Sequence, residues 1–126
     1  MIEKIKTTIW GRKFTLPVIY DCYEGEIITS EQKNAMKQFS EHLDLIEASK
    51  EEVEKFCKKE VMSDNENNKK DNIFSYIKPE ALFIKHEGPS PRIALMCKYR
   101  YDPEHGLAVV FSSKGDALVG KQDIIL

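Results

Sequence analysis

The amino-terminal part of the chain alternates apolar and polar residues, which is the pattern of half-buried β-strands. One such stretch covers residues 2–9, and a stronger one covers residues 13–23, where β-branched and aromatic side chains are frequent. Pro17 lies inside the second stretch. Because proline has no backbone N–H to donate, we expect an edge position or a β-bulge at this point of the sheet.

Two helices are predicted to follow these strands. The first begins at a capping box formed by Thr29 and Gln32, and its apolar residues recur every three or four positions. These residues are Ala35, Met36, Phe39, Leu43 and Ile46. Ser49 and Glu52 form a second capping box, which predicts another helix over residues 50–61. Each helix has one apolar stripe, so both need a hydrophobic surface to pack on, and a sheet supplies one.

The segment over residues 63–72 is polar throughout, and we expect an exposed, mobile loop there. A short amphipathic turn over residues 73–77 is expected to end at Pro79. The chain then becomes strand-like. The predicted strands cover residues 81–86, 92–101 and 107–113, and residues 117–119 with 124–126 finish the sheet.

The stretch over residues 92–101 has the clearest strand pattern of the chain. One face is expected to carry Ile93, Leu95, Cys97, Tyr99 and Tyr101, and the other Arg92, Lys98 and Arg100 together with Ala94 and Met96. A tight hairpin at Asp102–Gly106 is predicted to follow it, because aspartate, proline and glycine each suit a different position of a turn. The predicted fold is therefore α+β, with a mainly antiparallel sheet, two helices packed on one face, and the order ββαα followed by four strands.

The chain has 126 residues, 41% of them hydrophobic and 32% charged, which fits one domain over residues 1–126 with one core. Its three cysteines, Cys22, Cys57 and Cys97, lie far apart on apolar faces, so we expect buried free thiols and no zinc site. Free thiols favour a reducing compartment, and we expect a cytoplasmic protein with no signal peptide. The longest apolar run is far shorter than the roughly 20 residues that span a membrane.

Charge is unevenly distributed along the chain. The net charge is −2, but residues 21–54 contain ten acidic residues and three lysines, a local net charge of −7. Such a segment repels phosphate backbones, which argues against nucleic acid, and it attracts basic proteins. The candidate partner-binding residues are Glu41, Asp44, Glu47 and Glu51. Ordinary solvated helix faces explain the same charges without a partner.

The densest polar cluster is Tyr101-Asp102-Pro103-Glu104-His105-Gly106. Asp102, Glu104 and His105 are residue types that bind metal ions or transfer protons, but the same residues fit the turn, with Glu104 and His105 at its tip. No nucleophile, zinc, phosphate-loop or dinucleotide motif occurs in the chain. The sequence therefore predicts no metal and no cofactor.

Three stretches of the chain together resemble a family of small uncharacterised bacterial domains. They are the Tyr-Asp-x-Glu-His-Gly-Leu-Ala hairpin, here Tyr101–Ala108, the Gly-x-Gln-Asp ending, here Gly120–Asp123, and the stretch Asp21–Glu26 leading into the first helix. Some members of that family resemble the immunity proteins that accompany secreted toxins. The resemblance implies that five residues matter as a group, with the last two folded back beside the hairpin: Asp102, Glu104, His105, Gln122 and Asp123.

Three hypotheses of function follow from the sequence. The leading one is a non-enzymatic protein-binding module, an immunity protein that neutralises a basic toxin domain through its acidic segment. The second is a small enzyme or metal-binding protein that uses Asp102, Glu104, His105 and Asp123. The third is a structural domain that dimerises through an exposed sheet edge; the sequence leaves the oligomeric state open.

Overall fold

The computed structural model describes residues 3–22, 25–64, 73–87, 91–112 and 116–125. Within these ranges the chain forms three helices: α1 (Ser30–Ser40), α2 (Asp44–Ala48) and α3 (Lys50–Asp64). The six strands are β1 (Lys4–Ile9), β2 (Arg12–Tyr20), β3 (Ile77–Ile84), β4 (Ile93–Tyr99), β5 (Leu107–Phe111) and β6 (Ala117–Gly120). Short 3-10 helices cover Ile73–Tyr76 and Gln122–Ile124. The predicted α+β class and the order of elements are confirmed.

The six strands form one sheet whose spatial order follows the chain, from β1 at one edge to β6 at the other. Every neighbouring pair is antiparallel except β2 and β3, which run parallel. A parallel pair needs a long crossover, and here the crossover contains the three helices. The helices therefore pack together on one face of the sheet, as predicted.

The main core lies between the helices and the sheet. Alternate residues of the central strands face the helices, and β4 contributes Ile93, Leu95, Cys97 and Tyr99 to this core. Met36 of α1, Ile46 of α2 and Val53 of α3 cover them from the other side. The predicted facing of β4 is thus confirmed over Ile93–Tyr99, but the strand ends there, and Tyr101 is 38% exposed in the loop beyond it.

A second, smaller cluster lies on the face of the sheet that the helices do not cover. Its buried members are Ala94, Ala108, Val110 and Ile125. The prediction of a strand at residues 124–126 is therefore wrong, because residues Gln122–Ile124 form a 3-10 helix and Ile125 is buried against the sheet face. Leu126 lies outside the described residues. Contacts of Gln122 with distant residues, described below, direct residues 122–125 over the uncovered face of the sheet, so they do not continue as a strand at its edge.

Both prolines that interrupt strand patterns lie inside strands. Although β2 lies between β1 and β3, Pro17 is at a local edge of the sheet, as expected, because it is in register with β1 and lies before the part of β2 that pairs with β3. Pairing with β3 begins only at Val18, and Val18 donates its N–H to the carbonyl of Glu3, the residue before β1. The antiparallel alternation then turns the Pro17 nitrogen away from β1, so no ladder bond to β1 is lost. Pro79 does not end a turn; it lies in β3 beside a bulge.

The helical part differs from the prediction at its boundaries. The capping box of Thr29 and Gln32 is present, with the Gln32 N–H donating to Thr29 Oγ1 at 3.1 Å. The first helix ends at Ser40, and Ile46 belongs to the separate short helix α2. Helix α3 continues to Asp64, so the first two residues of the predicted loop 63–72 are helical. Residues 65–72 lie outside the described part of the chain.

The turn between β1 and β2 is fixed by a buried tryptophan. Trp10 and Gly11 both have positive φ, 49° and 86°, the geometry of a two-residue hairpin turn, and such a φ is unusual for a bulky residue. The Trp10 indole N–H donates to the Ile46 carbonyl at 3.2 Å, and Ser49 Oγ lies 3.5 Å away. The Trp10 ring also contacts Phe74, with 5.0 Å between centroids. This turn therefore anchors the bend between α2 and α3 to the sheet.

None of the helices in the described part of the chain is both long enough and apolar enough to cross a membrane.

Candidate functional site

The connection between β4 and β5 is a closed loop. The backbone N–H of Asp102 donates to the Tyr99 carbonyl at 3.1 Å, and the N–H of Gly106 donates to the Asp102 carbonyl at 2.8 Å. Gly106 has a φ of 63°, the positive value expected from its place in the turn. The connection runs from the end of β4 at Tyr99 to the start of β5 at Leu107, so it is longer than the tight hairpin predicted.

Two of the predicted site residues contact each other in this loop. His105 Nδ1 lies 3.0 Å from Asp102 Oδ1, and the backbone N–H of His105 donates to the same oxygen at 3.4 Å. The hydrogen bond from the His105 side chain lowers the pKa of the Asp102 carboxyl, against a smaller opposing effect of desolvation. The interaction closes the loop, and both side chains remain partly accessible to solvent.

Gln122 lies beneath the same loop. Its backbone N–H donates to the His105 carbonyl at 3.1 Å, and its side-chain amide donates to the Cys97 carbonyl at 3.0 Å. A methyl group on Gly106 would lie 2.7 Å from Gln122 Nε2 and 2.9 Å from the Cys97 oxygen. Glycine is thus required at 106 both for its φ and for this close approach.

The structure brings together Asp102, His105 and Gln122 but not the other two predicted members of the group. The carboxylates of Glu104 and Asp123 are exposed and form no hydrogen bond or ion pair with a described residue. Within the described ranges, no three His, Cys, Asp or Glu side chains come close enough together to hold a metal ion. The geometry of the loop is that of a turn held by side-chain hydrogen bonds.

The four acidic residues predicted to bind a partner form a second candidate site. Glu41 follows the last residue of α1, Asp44 and Glu47 lie on α2, and Glu51 lies in the first turn of α3. All four are exposed. Leu43 and Ser49 also have helical backbone angles, so the three- and four-residue steps place the carboxylates of Asp44, Glu47 and Glu51 along one side of a bent helical segment, and Glu41 precedes this segment at the end of α1. We call these four residues the acidic surface.

Buried residues and hydrogen bonds hold the backbone beneath the acidic surface in place. Ile46, Ser49 and Val53 are buried beneath it, and Trp10 bonds to the carbonyl of Ile46. Glu47 Oε1 accepts a hydrogen bond from the Gly11 N–H at 3.3 Å. Glu41, Asp44 and Glu51 form no ion pair with any residue that the structure describes. The four charges are therefore displayed on a fixed backbone, and their attraction is available to a partner.

The cysteines do not form a reactive site. Cys57 and Cys97 are buried, while Cys22 is half-buried. Burial raises the pKa of the Cys97 thiol strongly, and desolvation with the nearby charges of Glu26 and Asp21 raises the pKa of Cys22. At neutral pH these two groups are thiols and not thiolates, and the thiolate is the nucleophile.

Alkylation of the folded protein is expected to follow this burial. Iodoacetamide at neutral pH should modify Cys22 slowly and leave Cys57 and Cys97 unmodified, whereas all three should react in denaturant. Intact-mass spectrometry over time would measure the number of modified thiols. Fast modification of Cys97 in the native protein would contradict its burial.

Sequence reasoning missed a basic groove beside α1. The groove is lined by Lys4 of β1 and by Lys33 and Lys37 of α1, which are far apart from Lys4 in the chain. The four-residue spacing of Lys33 and Lys37 next to Met36 is a signal for a basic border along the apolar stripe. Their closeness to β1 depends on how the helix packs on the sheet, which no local pattern contains.

A protein-family model described as "Domain of unknown function (DUF6985)" matches residues 2–126. No curated protein and no solved structure matches the chain.

Proposed function

Since the chain belongs to the DUF6985 family, a domain of unknown function, we propose a function from the surface that the fold presents. The protein is a non-enzymatic protein-binding module that captures a basic partner through its acidic surface. The partner is a basic toxin domain, and the module acts as its immunity protein. None of its three cysteines is in a disulfide, which supports action in the reducing cytoplasm.

Glu41 is the single residue that carries this proposal. A carboxylate at the carboxyl end of a helix faces the negative end of the helix dipole, which is an unfavourable position. Glu41 stands there, following the last residue of α1, and it is exposed without an ion pair to a described residue. Asp44, Glu47 and Glu51 lie in first turns, where the dipole favours acidic residues. Glu41 therefore lacks the structural explanation that its three neighbours have.

The arrangement of the acidic surface suits electrostatic capture of a partner. Several like charges on one side of a molecule raise the local potential and speed the encounter with a protein of opposite charge. A fixed backbone adds to this, because less conformational freedom is lost when the partner binds. The hydrogen bond from the Trp10 indole to the Ile46 carbonyl holds this backbone in place.

The hairpin offers less support for an enzyme or a metal-binding protein. Asp102 and His105 bond to each other, and Glu104 and Asp123 point to solvent without joining them. A metal site needs more ligands than one such pair provides. The hairpin therefore has a structural role, and the helices bind the partner.

Charge reversal on the acidic surface is expected to weaken partner binding by at least about tenfold, roughly 1.4 kcal/mol. The variant is Glu41→Lys combined with Asp44→Lys and Glu51→Lys, which leaves the Glu47 bond to Gly11 in place. The genes beside the one for this chain should encode a basic toxin domain, which is the partner to use; calorimetry would measure its affinity and stopped-flow mixing its association rate, and a neighbourhood without such a domain would contradict the immunity role. The loss should appear mainly in the association rate and shrink as salt screens the charges.

Glu104→Lys is the matched control, because Glu104 is an exposed acidic residue on the hairpin and away from the helices. It should bind the toxin domain with unchanged affinity. Glu41→Gln should weaken binding while leaving the thermal midpoint unchanged or slightly higher, since it removes a carboxylate from the end of α1. Tight binding that is insensitive to both the triple reversal and salt would refute the role of the acidic surface.

A further inference from the structure

Strand β1 forms one edge of the sheet, and its backbone is available for pairing. Among the described strands its one neighbour is β2. Val18 of β2 donates its N–H to the Glu3 carbonyl, which makes Glu3 and Val18 a hydrogen-bonded pair. In the antiparallel alternation the N–H and C=O groups of Lys4, Lys6 and Thr8 then point away from β2. These groups are a template for one more strand.

A groove of about 720 Å³ runs beside this edge, between β1 and α1. Apolar side chains from both elements line its floor: Ile5, Val18 and Met36. Ile28 also lines the groove and is 39% exposed. Apolar surface open to solvent at a strand edge can be buried by the side chains of an added strand.

The border of the groove is positively charged. Lys33 and Lys37 line it from α1, and Lys4 borders it at the strand edge, where the alternation of β1 places its side chain on the same face as that of Lys6; none of the three bordering lysines forms an ion pair with a described residue. The one acidic residue in the lining, Glu3, already accepts a hydrogen bond from the Tyr20 hydroxyl at 3.1 Å. Partial burial, with the bond to Glu3 and its charge, raises the pKa of Tyr20 to about 12, so the hydroxyl stays a donor. The groove therefore attracts negative charge.

We infer that β1 binds an extended segment of an acidic partner protein, which adds a seventh strand to the sheet. Side chains of an added strand alternate between the two faces, as those of β1 do. On the helix side they would meet Ile5 and the apolar floor, and on the other side Lys4 and Lys6. The segment that fits alternates apolar with acidic residues.

Two other occupants fit less well. A second copy of this chain, pairing antiparallel through β1, would bring Lys4 and Lys6 of one copy close to those of the other, and like charges across a strand pair are destabilising. A nucleic acid would satisfy the lysines, but it would neither pair with the outward backbone groups of β1 nor cover the apolar floor. An acidic strand would pair with the lysines, bond to the outward backbone groups of β1 and cover the apolar floor.

A labelled peptide of alternating glutamate and valine, Glu-Val-Glu-Val-Glu-Val-Glu with blocked ends, is the first probe. Fluorescence anisotropy should record saturable binding to the full chain, at least about tenfold tighter than for the same peptide with lysine in place of glutamate. Lys6→Glu should weaken binding of the acidic peptide by about tenfold or more. Lys121→Glu, an equal charge change beyond the opposite edge strand, should leave it unchanged.

Lys6→Pro tests the backbone pairing itself. It removes the outward N–H of Lys6 without cutting a bond to β2, so the fold should survive while peptide binding is lost. Circular dichroism checks the fold, and if this variant unfolds, Lys6→Glu still decides the question. The inference is overturned if neither the valine peptide nor its isoleucine and phenylalanine analogues saturate, if Lys6→Glu binds normally, or if a single-stranded oligonucleotide binds more tightly.

Discussion

Replacing Trp10 by alanine is expected to cost about 3–5 kcal/mol of the free energy of unfolding, the usual cost of removing a large buried aromatic side chain. The Trp10 ring is 5% exposed, packs on Phe74, and donates its indole N–H to the Ile46 carbonyl. Its loss would leave a cavity where the β1–β2 turn meets the bend between α2 and α3. Urea denaturation, followed by circular dichroism, would measure the loss.

Two further variants at this position separate packing from backbone strain. Trp10→Phe keeps most of the aromatic ring, and the Ile46 carbonyl still accepts a hydrogen bond from Ser49 Oγ at 2.6 Å. The free energy of unfolding should therefore fall much less than in Trp10→Ala. Trp10→Gly should be less harmful than Trp10→Ala by about 1 kcal/mol, because a φ of 49° strains alanine but not glycine. A loss below 1 kcal/mol for Trp10→Ala, or glycine ranking below alanine, would contradict this account.

Gly106→Ala is expected to cost about 2–4 kcal/mol, the sum of a left-handed backbone strain and an overpacked contact. The added methyl group would meet Gln122 Nε2 at 2.7 Å and the Cys97 carbonyl at 2.9 Å, and the carbonyl belongs to a central strand that cannot move freely. The hairpin and the turn at Gln122 would therefore separate. Thermal and urea denaturation would both report the change.

Gly25→Ala is the matched control for this substitution. Gly25 also has a positive φ, 86°, but nothing lies within 4 Å of an added methyl group, so only the strain of about 1 kcal/mol should appear. In a Gln122→Ala background, Gly106→Ala should cost less than in the native chain, because one of the two contacts is gone. If Gly106→Ala and Gly25→Ala lower the free energy of unfolding equally, the contact of the Gly106 methyl group with Gln122 and Cys97 has no energetic cost.

Local patterns in the sequence predicted most elements of this fold, because each is specified by its own residues. The capping box at Thr29 and Gln32 starts α1, and the alternation of Ile93, Leu95 and Cys97 sets the buried face of β4. The wrong predictions occur where contacts between residues distant in sequence determine the local structure. Ile124 and Ile125 have strand-like side chains, but the bonds of Gln122 to His105 and Cys97 turn them over the sheet.

The candidate site was predictable to a similar extent. The concentration of acidic residues over 21–54 predicts charged helix faces, and Glu41, Asp44, Glu47 and Glu51 are exposed in the structure; that they bind a partner stays a prediction. The closeness of Lys33 to β1 could not be predicted from the sequence, because it depends on how α1 packs on the sheet. The position of Trp10 beneath the acidic surface is also a tertiary feature, and its positive φ runs against the preference of tryptophan.

The parallel pair β2–β3 also shapes how this chain must assemble. Each antiparallel pair joins strands that are neighbours in sequence, so its ends are close before they pair. Val18 and Leu82, in contrast, meet only after the entire helical crossover has been enclosed. The entropy lost on closing a loop grows with the number of residues inside it. The sheet therefore consists of two locally connected parts, a hairpin and a four-stranded meander, and joining them carries the largest entropic cost of closure in the topology.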